Sequence, residues 1–142
     1  MTGQTTTADE LTRRLNLALG WELRALTMYG HYAAYVKGIY RLHLKPFFEA
    51  EATESLGHAD SVRNEIVKLG GEALTDRDAT EIVHTTDYKV MLQESLKTET
   101  RAASTYQEFL ELPGLDGELF DAIEQIYFAE ARSVDELKQL ML

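Results

Sequence analysis

Apolar residues recur every three or four positions along most of the chain, the spacing of one face of an α-helix. Four such stretches stand out, at about Ala8–Val36, Lys45–Leu69, Tyr88–Leu112 and Gly117–Met141. Local signals agree with these bounds. Thr7 followed three residues later by Glu10 reads as a capping box for the first helix. Lys37–Gly38 reads as a turn, Pro46 suits the first turn of the second helix, and Gly70–Gly71 closes that helix. Asp87 and Asp116 stand at the N-caps of the third and fourth helices, and Pro113–Gly114 separates those two. Residues 72–87 have no clear period and hold several turn formers.

Helices of ~24 residues are each ~36 Å long. The first and last connections are short, so helices one and two, and helices three and four, pair antiparallel. The middle connection, extended, reaches ~50 Å, enough to cross the whole bundle. The pattern predicts an all-α four-helix bundle in one domain spanning residues 1–142, with a long central crossover.

The inward stripes hold more than apolar residues. They read Leu11, Leu15, Ala18, Glu22, Ala25, Tyr29 in the first helix and Phe48, Glu51, Ser55, His58, Val62, Leu69 in the second. The third reads Leu92, Leu96, Glu99, Ala103, Tyr106, Leu110, and the fourth Leu119, Ile123, Ile126, Glu130, Ser133, Leu137, Leu140. Each stripe is apolar at its ends and polar in its middle. Counted from the predicted ends, Glu22, His58, Glu99 and Glu130 all sit within a few ångströms of the bundle midplane at ~1.5 Å per residue. Three buried carboxylates and an imidazole at one depth repel one another and resist desolvation. A divalent cation relieves both problems. Donors rich in oxygen with one nitrogen suit Fe²⁺ or Mn²⁺ better than a thiolate-preferring metal.

Composition narrows the rest. The chain has 142 residues, a formal net charge of −10 and no cysteine. That charge, without any Lys/Arg cluster, argues against a nucleic-acid partner and for attraction of cations. The lack of cysteine excludes disulfides and thiolate sites. The N-terminal stretch has neither the basic nor the apolar region of a signal peptide, and no apolar run reaches the ~20 residues of a membrane span. A soluble cytoplasmic protein, with no membrane partner, is the expectation.

The chain resembles the bacterioferritin branch of the ferritin-like superfamily. The resemblance rests on Gly20-Trp21-Glu22-Leu23-Arg24-Ala25 with Tyr29, on Glu51 with His58-Ala59-Asp60 and Leu69-Gly70-Gly71, on Glu99 with Tyr106, and on Glu130 with Asp135-Glu136-Leu137. The family places one Glu on each of two helices and a Glu-x-x-His on each of the other two. By that resemblance Glu22 and Glu99 are the single glutamates, His58 is the histidine of the second helix, and Glu130 is the glutamate of the fourth. These four are the expected metal ligands and catalytic residues of a ferroxidase that oxidises Fe²⁺ with O₂ or peroxide and stores or detoxifies iron.

Two positions depart from the family pattern. Ser55 stands where the second helix would carry its glutamate, and Ser133 where the fourth would carry its histidine. Hydroxyls are poor iron ligands, so the site reads as mononuclear or as an asymmetric di-iron centre. Glu51 and Glu54 are candidates for a replacement oxygen. Haem is not expected, because Leu56 stands where the haem methionine would be. The same two serines support an alternative, a non-catalytic shell or binding subunit with a degenerate site. A further alternative is a Dps-type mini-ferritin with its ferroxidase between subunits, carried by His31 and His43, twelve residues apart, with Asp60 as the acid. The expected assembly is a homo-oligomer, from dimer to dodecamer, because no fifth helix follows the fourth. Tyr29 and Tyr106 are expected near the metal level, and His84 in the exposed crossover.

Overall fold

The computed structural model describes residues 4–142. It contains α1 (Ala8–Tyr35), α2 (Arg41–Lys68), α3 (Tyr88–Leu110) and α4 (Gly117–Leu140). The helices form an antiparallel bundle in which α1 packs along α2, α3 along α4, and α1 against α3, while α2 against α4 is the sparsest of these four pairings. None of these helices is long and apolar enough to cross a membrane.

Three of the four starts follow the predicted caps. Thr7 accepts from the Glu10 backbone N–H at 3.1 Å, Asp87 from that of Lys89 at 2.9 Å, and Asp116 from that of Glu118 at 3.1 Å. Only half of the capping box forms, because the Glu10 carboxylate turns to Arg13 and Arg14 instead. The start of α2 differs from expectation. Gly38, at φ +85°, completes the turn at once, and the helix begins at Arg41. Arg41 then donates to the terminal carbonyls of α1, Ala34 at 3.0 Å and Val36 at 2.8 Å. His43 is therefore helical and exposed, and Pro46 lies in the second turn rather than the first.

The crossover lies along α1 from its start to its end. A Cβ on Gly71 would come within 2.5 Å of the Thr12 hydroxyl, so only glycine allows that approach. Asn16 brackets the strap, donating to the Glu72 carbonyl and accepting from the Leu74 N–H, both at 2.9 Å. Asp78 N–H donates to the Gly20 carbonyl at 2.9 Å, and the Tyr32 hydroxyl to the Val83 carbonyl at 2.8 Å. The strap thus runs parallel to α1 and delivers α3 antiparallel to it.

Two apolar clusters fill the ends of the bundle. One joins Leu15, Leu19, Ile66, Phe109 and Ile123; the other joins Met28, Tyr32, Phe48, Met91 and Leu137. The polar centre predicted from the stripes lies between them. On α3 the buried face holds Ser95, Ala102 and Phe109, and the predicted Leu96, Ala103 and Leu110 are only half-buried. The reason is polar satisfaction: the Ser95 hydroxyl donates to the Met91 carbonyl, and Thr98 pairs with Arg24, so both bury without cost. Leu140, predicted to face inward, is exposed at the end of α4.

Candidate metal centre

The four helices bring Glu22, His58, Glu99 and Glu130 together between the two apolar clusters. Glu22, Glu99 and Glu130 are 0, 3 and 2% exposed. His58 Nδ1 lies 2.9 Å from Glu130 Oε1 and 3.3 Å from Glu22 Oε2. One donor atom from each of Glu22, His58 and Glu130 lies within 4.8 Å of the other two. Glu99 stands outside that tight triad but within hydrogen-bonding reach of Glu130.

Two tyrosines brace the glutamates in a crossed pattern. Tyr106 of α3 donates to Glu22 Oε2 of α1 at 2.6 Å. Tyr29 of α1 donates to Glu99 Oε1 of α3 at 2.8 Å. Each tyrosine follows its own helix's glutamate by seven residues, two turns further on the same face. Both hydroxyls are fully buried, and burial first, then the neighbouring carboxylates, pushes their pKa well up. They therefore stay protonated and act as donors.

The site is strained without a cation. Burial, then the adjacent Glu130, pushes Glu99 well above the usual carboxylate range. Burial, then the charge of Glu22, holds Glu130 at about 7. For His58 burial is again the largest influence and lowers the pKa, but the bonds to Glu130 and Glu22 outweigh it and raise the value to about 10. Two buried oxygens, Glu22 Oε1 and Glu130 Oε2, have no hydrogen-bond partner among the described residues. Buried carboxylate oxygens rarely lack one. A divalent cation fits this set, since it accepts oxygen and imidazole donors and removes the need for shared protons.

The serines shape the other side. Ser55 and Ser133 are both buried, and α2 and α4 pack only sparsely. Glu51 is half-buried and accepts from the Ser133 hydroxyl at 3.3 Å, next to the residue that stands where the family pattern has its second histidine. Burial, then the charge of Glu99, raises it to about 7. Glu54 is exposed, and its nearest oxygen is 3.8 Å from His58 Nε2. Two grooves open between these helices. One, of about 660 Å³, reaches His58 past Ser61, Asn64, Gln125 and Ile126. The other, of about 330 Å³, is lined by Glu51, Glu54, Arg132, Ser133 and Glu136.

The residues of the inter-subunit alternative have other engagements within this chain. His31 Nε2 meets His84 Nδ1 at 2.8 Å, Asp60 pairs with Arg63 at 2.8 Å, and His43 is exposed on α2. Sequence reasoning missed the structural part of Arg24. This side chain is 4% exposed, donates to Thr98 Oγ1 at 2.6 Å, to the Thr80 carbonyl at 3.0 Å and to the Glu81 carbonyl at 2.6 Å, and lies over the Trp21 ring. Arg24 lies off the stripe that carries Glu22 and faces the crossover, so no local pattern marked it.

Comparison with known proteins agrees with this architecture. The Ferritin family model, a ferritin-like domain, matches residues 12–141. Ferritin-like, diiron-carboxylate proteins from Bacillus anthracis superpose with a TM-score of 0.88 at 31% identity, over 98% of this chain and all of theirs. A dodecameric thioferritin, the bacterioferritin-related protein from Bacteroides fragilis, superposes with a TM-score of 0.88 at 25% identity, over 95% of this chain and 86% of that one. A search of curated proteins gave no match. With a family match over nearly its whole length, the chain belongs to the ferritin-like family.

Proposed function

We propose that this protein binds Fe²⁺ among Glu22, His58, Glu99 and Glu130, passes the electron from iron to O₂ or peroxide, and so serves iron storage or detoxification. The observation that carries this reading is the buried triad of Glu22, His58 and Glu130, with two carboxylate oxygens left unpartnered. Iron here is the substrate. The protein's part is to hold an open coordination site inside a dry, shaped cavity.

The surviving ligands divide between two helices. The second helix keeps His58 without its glutamate, and the fourth keeps Glu130 without its histidine. Together they amount to one Glu/His set, supplemented by Glu22 and Glu99. One iron is thus held strongly, and a second is held weakly with Glu51 as a substitute oxygen ligand. The Bacillus anthracis neighbours are described as diiron-carboxylate proteins and the Bacteroides fragilis neighbour as dodecameric. A homo-oligomer of this chain follows as part of the proposal.

Anaerobic Fe²⁺ titration of the wild type and Glu99→Ala tests the reading. The wild type should bind one Fe²⁺ per chain tightly, and the variant at least ~10-fold more weakly, about 1.4 kcal/mol. Equal, weak binding by both removes the core site. Admission of air then separates the catalytic reading from a non-catalytic shell subunit, which Ser55 and Ser133 favour. Tight binding without fast oxidation establishes the shell. Mass in solution completes the test, since a monomer has no mineral cavity.

A further inference from the structure

Two imidazoles meet on the outside of the bundle, away from the core site. His31 on α1 and His84 in the crossover bring Nε2 and Nδ1 to 2.8 Å. The Tyr35 ring, one turn further along α1, lies 4.6 Å from the His31 ring and 4.7 Å from the His84 ring. Between two such nitrogens only one proton fits, so one of them presents a lone pair to the other. We propose that His31 Nε2 and His84 Nδ1 form a second, surface metal site for a borderline divalent ion of the Zn²⁺, Ni²⁺ or Cu²⁺ class.

The separation fits one ion. Metal–imidazole bonds are ~2.0–2.1 Å, so two donors at a right angle on one ion lie about 2.9 Å apart, and at the tetrahedral angle about 3.3 Å. The observed 2.8 Å matches the right-angle edge of a square or octahedral Cu²⁺ or Ni²⁺ site. An opening of about half an ångström accommodates tetrahedral Zn²⁺. The ring that now donates frees its lone pair by moving its proton to its other nitrogen, with no change of charge. His84 is exposed, so water reaches that nitrogen and fills the remaining coordination positions.

The pair is held in place from both sides. The Tyr32 hydroxyl anchors the Val83 carbonyl, immediately before His84, and Arg24 anchors the carbonyls of Thr80 and Glu81. The entropy of bringing loop and helix together is already met by these bonds, which favours binding. A two-imidazole site also selects differently from the core. Imidazole pairs suit Zn²⁺, Ni²⁺ and Cu²⁺, while the carboxylate-rich centre suits harder ions. An ion here staples the crossover to α1, and the net charge of −10 raises the local cation concentration.

Electron paramagnetic resonance of Cu²⁺ bound to the full chain, with Zn²⁺ calorimetry, tests the proposal. The core offers a single imidazole, so a Cu²⁺ signal split by two nitrogens on one ion reports the surface pair. Wild type and Glu130→Gln should both show it. His84→Ala and His31→Ala should lose it and bind Zn²⁺ at one site per chain at least ~10-fold more weakly. His84 is exposed and Glu130→Gln preserves shape, so folding is not at issue. A two-nitrogen signal that survives His84→Ala, or one absent from the wild type, overturns the site.

Discussion

The bundle has two halves that treat the same chemistry differently. Where α1 meets α3, each glutamate is sealed and receives a hydroxyl from a tyrosine on the opposite helix. Where α2 meets α4, two buried serines stand where the family pattern has larger ligands, packing is sparse, and two grooves lead inward. In the proposed iron site the braced half fixes ligand geometry and the open half admits the ion. On the open side Glu51 accepts from Ser133, which makes its carboxylate the candidate substitute ligand of the proposed site.

The largest effect expected from this contrast is a pH dependence of the metal-free fold. On the open side Glu130 and Glu51 are each raised to about 7 from an ordinary 4.5, mainly by burial. His58 is lowered by burial and raised further by Glu130 and Glu22, to about 10 from 6.5. The folded chain therefore holds protons that the unfolded chain has lost. Stability present at low pH falls as pH rises through ~4.5–7 for the acids and ~6.5–10 for His58. Denaturant unfolding between about pH 5 and about pH 9 checks this. Glu130→Gln should flatten the lower part of the curve, and Mn²⁺, which binds the deprotonated ligands, should reverse its slope. Stability that rises with pH in the metal-free wild type contradicts the account.

The braced half is probed through Arg24. Arg24→Ala leaves the Glu81 carbonyl without its donor, leaves the Thr80 carbonyl to Arg77 alone, and empties a buried volume. A loss of about 2–4 kcal/mol is expected from urea unfolding. Fe²⁺ affinity should change by less than about threefold, because Arg24 touches the crossover and Thr98 rather than the ligands. If iron binding collapses as well, the two halves are not separable.

Much of this division was legible in the chain. The stripes located Glu22, Glu99 and Glu130, because a 3.6-residue period fixes both face and depth. Short-range signals at Thr7, Asp87 and Asp116 fixed three helix starts, because caps are local. What escaped depended on long-range partners. Thr98 donates to the Glu94 carbonyl within α3 and accepts from Arg24 of another helix, a partner no local pattern shows. His84 meets His31 across 53 residues, a distance no local pattern spans. The start of α2 moved because Arg41 caps the preceding helix, and Pro46 alone was a weaker guide.

A smaller effect is expected from the braces. Tyr106→Phe keeps the ring but leaves Glu22 Oε2 without its hydroxyl donor. Stability should fall by about 1–2 kcal/mol and Fe²⁺ affinity by roughly 10-fold. Tyr29→Phe should act equally through Glu99. Calorimetric titration under nitrogen checks both, and unchanged affinity in both would mean that the closed half does not orient the ligands.

The smallest effect decides which residue stands in on the open side. Glu51 is half-buried against Ser133, while Glu54 is exposed and approaches only the far nitrogen of His58. Glu51→Gln should weaken the second, looser Fe²⁺ by about 5–10-fold, and Glu54→Gln by less than about twofold, since an exposed carboxylate acts through a screened field. Restoring the histidine sharpens this. In Ser133→His the imidazole occupies the place Glu51 now reaches, so Glu51→Gln in that background should cost less than about twofold. Two substitutions that share one ligand position cannot act additively. Additive losses across the cycle would show that Glu51 lines the groove without touching iron, and the weak second site would then have no donor on the α2 side beyond His58.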